Sequence, residues 1–209
     1  MSKQTFPKVT TPRGTFIYPK LVEPDTKYVK PHGEYSTKFA LRLDDPETAA
    51  FINRLEEILA KYIEDDPKEL GAAIIKKAST ADIYEEEMDD EGEETGRVIF
   101  RFKLKAMVET PNKSWPQAPR LFDAAAQPLE GVDPWTGSEG KVNVEVFPYY
   151  MASTKSFGLS LRLKGAQILK LVSGGGASAD DMGFGAEEGF VAEPAKEGFS
   201  DESGDDAEF

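Results

Sequence analysis

Three separated segments of this 209-residue chain alternate apolar and polar residues with a period of two. That period marks β-strands with one face buried and the other open to water. In Glu34 to Leu43, Tyr35, Thr37, Phe39, Leu41 and Leu43 face one way, with Ser36, Lys38, Ala40 and Arg42 opposite. In Gly96 to Val108, Phe100, Phe102 and Leu104 alternate with Arg101, Lys103 and Lys105. In Phe157 to Val172, Leu159, Leu161 and Leu163 oppose Ser160, Arg162 and Lys164. Two more extended segments complete the set. Arg13 to Val22 (RGTFIYPKLV) contains Pro19, which marks an edge strand or a bulge, and Lys141 to Tyr150 reads KVNVEVFPYY.

Between the second and third strands the period changes to that of a helix. Asp44-Asp45-Pro46-Glu47 places an acidic N-cap before a proline at the first helical position. Phe51, Ile52, Leu55, Ile58, Leu59, Tyr62 and Ile63 follow on one helical face. Asp65-Asp66-Pro67 ends this helix, and a shorter one is expected through about Ala78. Between the third and fourth strands lie a proline-rich connection (Pro111, Trp115, Pro116, Pro119), a short Arg120–Phe122 stretch and a turn at Asp133 to Gly137. There is no internal repeat and no βαβ alternation. The pattern predicts a mainly β fold, a five-stranded Greek-key barrel of the OB type with a helical insert between its second and third strands.

Charge is unevenly distributed. The chain carries 25 basic and 38 acidic residues, a net −13. Ala177 to Phe209 holds eleven of those acids and a single base, Lys196, so this segment alone carries −10. A second run, Glu85 to Glu94, has eight acids in ten residues and reads as a solvated loop. The remaining 24 bases and 19 acids leave the rest of the chain at +5. The C-terminal segment opens with Gly174-Gly175-Gly176 and has no strand or helix period, so it is expected to be a disordered acidic tail. Its four phenylalanines, Phe184, Phe190, Phe199 and Phe209, read as anchors for a basic, partly apolar surface; a solvated spacer is the plainer alternative. The expected division is an OB domain over residues 1–173 and a tail over 174–209.

Several chemistries are excluded by inventory. The chain has no cysteine and one histidine, His32, so thiol nucleophiles, zinc fingers and His-based triads are absent. No phosphate-binding loop motif occurs, and Glu85 to Glu94 lacks the spacing of a calcium-binding hand. No enzyme activity, cofactor or metal is expected. The first residues hold no apolar run and no stretch is long enough to span a membrane, so a cytoplasmic protein is expected.

The polar rows of the three alternating strands contain Lys38, Arg42, Arg101, Lys103, Lys105, Arg162 and Lys164 and no acid. Cations beside exposed aromatics suit a phosphate backbone with stacked bases. Tyr149, Tyr150, Phe157, Trp115 and Trp135 are the candidate stacking groups. The alternative is that the lysines protect strand edges and the aromatics fill the core.

These residues also carry a resemblance. Pro31-His32-Gly33-Glu34-Tyr35, Phe100-Arg101-Phe102-Lys103, Gly140-Lys141-Val142, Phe147-Pro148-Tyr149, the leucine/basic alternation of the last strand and the terminal Asp205-Asp206-Ala207-Glu208-Phe209 occur in that order. The chain resembles the single-stranded DNA-binding proteins of podovirus-type (T7-like) bacteriophages over most of its length. The resemblance implies an OB fold that protects single-stranded replication intermediates without sequence preference and promotes annealing. It implies DNA contacts by Lys3, Arg101 and Lys103 and stacking by Tyr149. It also implies that the tail recruits the replicative DNA polymerase and helicase-primase through Asp205, Asp206, Glu208 and Phe209. Members of the family can pair, so a homodimer belongs among the expectations. The chain departs from the family pattern at His32, where a basic residue is expected, and at Met151, where a second aromatic is expected and Tyr150 could substitute.

The tail's carboxylates are expected to compete with DNA for the cationic face. A flexible 33-residue segment spans ~30 Å, against a radius of gyration of ~15 Å for the body. The competing reading is an acidic interaction protein, or DNA mimic, that occupies a basic partner.

Overall fold

The computed structural model describes residues 6–66 and 69–172. Lys3, the predicted tail 174–209 and its terminal residues Asp205, Asp206, Glu208 and Phe209 lie outside the described residues. Among the described residues there are eleven strand segments and two helices: β1 (Lys8–Thr10), β2 (Gly14–Asp25), β3 (Glu34–Arg42), α1 (Pro46–Asp65), α2 (Ala72–Ile75), β4 (Ser79–Thr80), β5 (Glu85–Met88), β6 (Glu94–Lys105), β7 (Met107–Thr110), β8 (Lys113–Pro116), β9 (Arg120–Phe122), β10 (Glu139–Met151) and β11 (Ser156–Lys170).

Five of these strands close a barrel. β2 pairs with β3, β3 with β6, β6 with β11 in parallel, β11 with β10, and β10 with β2. These are the five strands read from the sequence, in the Greek-key order of an OB fold, with α1 inserted between the second and third. The inward rows supply the core. Phe16, Phe39, Phe100, Phe102, Val142, Val144, Val146 and Leu163 have no exposed surface. The Phe16 and Phe39 rings meet edge-on at 4.9 Å, and Phe100 and Phe102 stack at 6.2 Å. Each such ring contributes about 1.5–3 kcal/mol through burial.

Closure requires two glycines. β10 pairs with β11 along its length but with β2 only at Glu139↔Thr15 and Gly140↔Gly14. A Cβ on Gly14 would lie 2.5 Å from the Ala40 carbonyl oxygen, and one on Gly140 would collide with the Gln167 carbonyl and lie 2.9 Å from the Phe16 ring. The seam then continues through Phe16 N–H to Ser138 O at 2.9 Å and Gly137 N–H to Phe16 O at 3.0 Å.

The helix follows its sequence signals. The Asp45 carboxylate accepts from Glu47 N–H at 2.9 Å, and Asp66 in a left-handed conformation ends the helix. Thr48, Phe51, Ile52, Leu55, Ile58 and Leu59 are buried, with Phe51 edge-on to Phe100 at 5.2 Å. No helix among the described residues is long and apolar enough to cross a membrane.

Two proline effects are visible. The β2–β3 register shifts between Ile17 and Lys20, around Tyr18 at φ 48° and Pro19, so Pro19 marks a bulge. On β10, the Val146 N–H donates toward β1, to the Pro7 carbonyl at 2.8 Å. Pro148, two residues on, meets that same edge and has no N–H to give.

Four expectations need correction. The acidic run is not a loop: Glu85–Met88 forms β5, paired to β6, with only Asp89 to Glu93 in the turn. The proline-rich connection is a second sheet, the β7–β8 hairpin. The second helix is a single turn that stops at Ile75, not about Ala78. Leu43, assigned to the buried row, is 42% exposed because β3 ends one residue earlier.

The seam makes a prediction. Gly140→Ala should destabilise the full-length protein by about 1–3 kcal/mol, read from the urea midpoint. Gly92→Ala, at an open turn with φ +83°, should cost about the strain of one left-handed residue. Equal, small losses at both positions would show that closure does not depend on Gly140.

Candidate nucleic-acid interface

The barrel's outward rows can be followed across strands by register. One row runs Ser36 on β3, Lys103 on β6, Arg162 on β11, Glu145 on β10 and Lys8 on β1. A neighbouring row runs Arg120 on β9, Gly165 on β11, Asn143 on β10 and Thr10 on β1. Lys38 lies directly opposite Arg101, and Glu34 opposite Lys105. Lys38, Arg101, Lys103 and Arg162 are therefore brought to one surface. Arg42 is not: it sits at the end of β3, opposite Arg97, in a mixed-sign hollow with Asp44, Asp45 and Glu139.

The rows are less uniformly cationic than their sequences. Glu85 of β5 meets Arg101 at 2.9 Å, Glu34 meets Lys103 at 3.0 Å, and Glu145 of β10 meets Arg162 at 3.7 Å. Arg42 is held by Asp44 at 2.6 Å, and that hydrogen bond lowers the Asp44 pKa below the ordinary carboxylate range. Glu85, Glu145 and Asp44 come from neighbouring strands and turns, so reading each strand alone missed them, whereas Glu34 heads the polar row of β3 itself and is an acid that the single-strand reading overlooked. The pairs are solvent-exposed, and such pairs contribute only ~0–1 kcal/mol each. A polyanion can exchange with them.

Uncompensated cations collect elsewhere on the same surface. Lys8 of β1, Lys141 of β10, Lys164 of β11 and Arg120 of β9 line one groove of about 520 Å³, with Thr10, Asn143 and Gln167 between them. Among the described residues, no acidic one lines it. Among the described residues, no carboxylate lies within 4.0 Å of these four cations or of Lys38 and Lys105. Backbone irregularities build the groove. Lys164 is the extra residue of a bulge, since Val144 pairs with Leu163 while Asn143 pairs with Gly165. Gly165 lets β9 approach: a Cβ there would sit 2.6 Å from the Arg120 carbonyl oxygen.

Aromatic groups continue along β10. Phe147 shares its outward face with Lys141, Asn143 and Glu145; the Phe6 ring lies 3.9 Å from it and the Arg162 guanidinium 3.8 Å above it. Tyr149 follows two residues on, its ring lying over Gly158 with the hydroxyl 2.6 Å from where a Cβ would be. Tyr150 has the opposite parity and packs on Phe157 at 5.0 Å, so the two tyrosines point to different faces of β10. Phe157, a stacking candidate from the sequence, is 4% exposed and belongs to the core. Trp115 (39% exposed) stands on β8, and Trp135 (46% exposed) lies in the turn whose N–H donates to the Val172 carbonyl.

Sequence reasoning did not single out Lys8, Arg120 or Lys141 as site residues. Lys141 had a signal, since it shares parity with Asn143 and Glu145 on a strand whose alternate residues are valine. Lys8 and Arg120 had none, because three-residue strands carry no readable period.

Together the fold and groove define a class: a five-stranded OB-type barrel with a cationic groove on its fourth and fifth strands and aromatics at the groove's end. Solved structures share the fold. Similarity to gp2.5, a single-stranded DNA-binding protein encoded by bacteriophage T7, has a TM-score of 0.62 at 19% identity, covering 80% of this chain and 93% of that one. The single-stranded DNA-binding protein from bacteriophage Enc34, solved in complex with ssDNA, matches with a TM-score of 0.54 at 10% identity, over 81% of this chain and 89% of that one. No protein family and no curated protein matches the sequence.

The charge geometry is testable without assuming a ligand. Full-length Lys141→Ala/Lys164→Ala should elute from a heparin column at clearly lower salt than the parent. Arg42→Ala/Lys170→Ala, which removes the same charge from sites already paired to Asp44 and Glu139, should move elution less. Equal shifts would show that only net charge matters.

Proposed function

We propose that the protein binds single-stranded DNA without sequence preference, as a non-catalytic coat on bacteriophage replication and recombination intermediates. The observation that carries this reading is the acid-free groove of Lys8, Arg120, Lys141 and Lys164, continuous along β10 with Phe147 and Tyr149. Cations that follow a backbone and aromatic faces that accept any base make a sequence-tolerant single-strand site. The shared fold with phage single-stranded DNA-binding proteins supports it. Arg101, Lys103 and Arg162 join the site by exchanging Glu85, Glu34 and Glu145 for phosphates, while Lys38 and Lys105 flank it unpaired.

The finer parts rest on sequence. Residues 1–173 are the binding domain and 174–209 an acidic tail. The tail competes for the groove and, once displaced, recruits the replicative polymerase and helicase-primase through Asp205, Asp206, Glu208 and Phe209. Lys3 adds a contact, and the protein works in the host cytoplasm, with a homodimer compatible with all of this.

The test is fluorescence anisotropy of labelled oligo-dT across a salt series. The full-length protein should bind with steep salt dependence and hold duplex weakly. Lys141→Ala/Lys164→Ala should reduce the slope of log K against log salt by about 1.4, the share of two phosphate contacts on a single strand. A chain ending at Gly176 should bind more tightly than the full-length protein. Absence of binding at low salt would discard the reading and leave an acidic partner protein to test; weaker or unchanged binding after truncation would discard the tail competition alone.

A further inference from the structure

The β7–β8 hairpin forms its own two-stranded sheet off the end of β6, and its two faces differ in chemistry. Register pairs Met107 with Pro116 and Glu109 with Ser114 on one face, and Val108 with Trp115 and Thr110 with Lys113 on the other. The first face is turned to the barrel. Met107 and Pro116 line a hollow with His32 and Tyr35, and the Glu109 carboxylate lies 3.6 Å from His32 Nε2. Gln117 fastens the base of the hairpin through its N–H to the Ala106 carbonyl and its side-chain amide to the Lys105 carbonyl. The second face is thereby left to solvent. It holds one cation and one large aromatic, with no acid. Lys113 Nζ lies 5.8 Å from the Trp115 ring centroid, and Trp115 stays 39% exposed.

The position of this face adds a second argument. Ala118 lines both the hollow under the hairpin and the cationic groove. Arg120, a groove residue, follows Trp115 by five residues, at most ~17 Å of extended chain. A strand of nucleic acid leaving the groove past Arg120 therefore has an aromatic platform with its own cation within reach.

We propose that the hairpin is a second single-strand contact outside the barrel, on which Trp115 stacks a base while Lys113 meets a neighbouring phosphate. This rests on the single-stranded DNA reading above. A base on an exposed indole is worth a 5- to 150-fold change in affinity, and the lysine adds one phosphate contact to the salt slope.

The chain has two tryptophans, Trp115 and Trp135, so intrinsic fluorescence separates them. Full-length Trp135→Phe reports Trp115 alone, and Trp115→Phe reports Trp135 alone. Titrated with unlabelled oligo-dT, the first should be strongly quenched and the second little changed. Trp115→Ala should weaken oligo-dT affinity about tenfold by anisotropy, with Trp115→Phe retaining most of it. Trp115 fluorescence unmoved at saturating oligo-dT, while anisotropy still shows binding, would overturn the hairpin contact and leave the groove reading intact. No anisotropy change in the parent protein would overturn both.

Discussion

The structure depends on the backbone contact of β10 with β2 at Gly14 and Gly140. There a strand that belongs to β11 along its whole length must also touch the far edge of the sheet, and neither glycine has room for a Cβ, which on Gly14 would strike β3 and on Gly140 the Gln167 carbonyl of β11 and the Phe16 ring. Without that contact the five strands would form an open curved sheet with exposed apolar residues on its concave side. With it, the inward row of every strand meets the others, and Phe16, Phe39, Phe100, Phe102 and Leu163 share one interior. The outward rows of the closed barrel are then fixed relative to one another, and pairing of β1 with β10, β10 with β11 and β11 with β9 lines one groove with their cations.

Electrostatics on that outer surface falls into two kinds. Arg101, Lys103 and Arg162 each have a carboxylate supplied by a neighbouring strand. Lys8, Arg120, Lys141 and Lys164 have none among the described residues. The paired cations keep the surface from being a uniform positive field, while those of the groove meet no carboxylate among the described residues. A polyanion lying in the groove would meet these cations first, and beyond them cations whose carboxylate partners it can replace. The acidic hairpin is part of this balance, since Glu85 and Glu87 of β5 reach Arg101 and Arg97 of β6.

The barrel was legible because its strands repeat with a period of two and α1 with its capped helical stripe. Each rule is local and needs no partner strand. What escaped was non-local or lacked apolar alternation. β5 is a run of acids whose place comes from backbone pairing and from arginines ten and sixteen residues further along the chain, so its composition reads as solvent-facing loop. The β7–β8 hairpin was hidden by its prolines, although Pro111 lies between its two strands and Pro116 at its end. The groove itself could not be read from any one segment, because its four cations come from four strands, and only the long-range pairing of β1 with β10 and of β9 with β11 brings them together. The tyrosine pair is different. Adjacent residues on a strand point to opposite faces, so parity alone separates Tyr149 from Tyr150, and one surface cannot use both.

Pro148 bears on how the molecule behaves among copies of itself. On the side of β10 that β1 covers, the hydrogen-bond ladder meets a residue with no donor just beyond Val146. Any extended segment that tried to lengthen the pairing along that edge would leave a carbonyl unmatched at this point, and the ring would hold it off. Natural sheets use such residues to keep their borders from recruiting foreign strands. On the proposed single-strand coat, where copies would sit side by side, high local concentration then does not turn neighbouring barrels into a continuous, irreversible sheet.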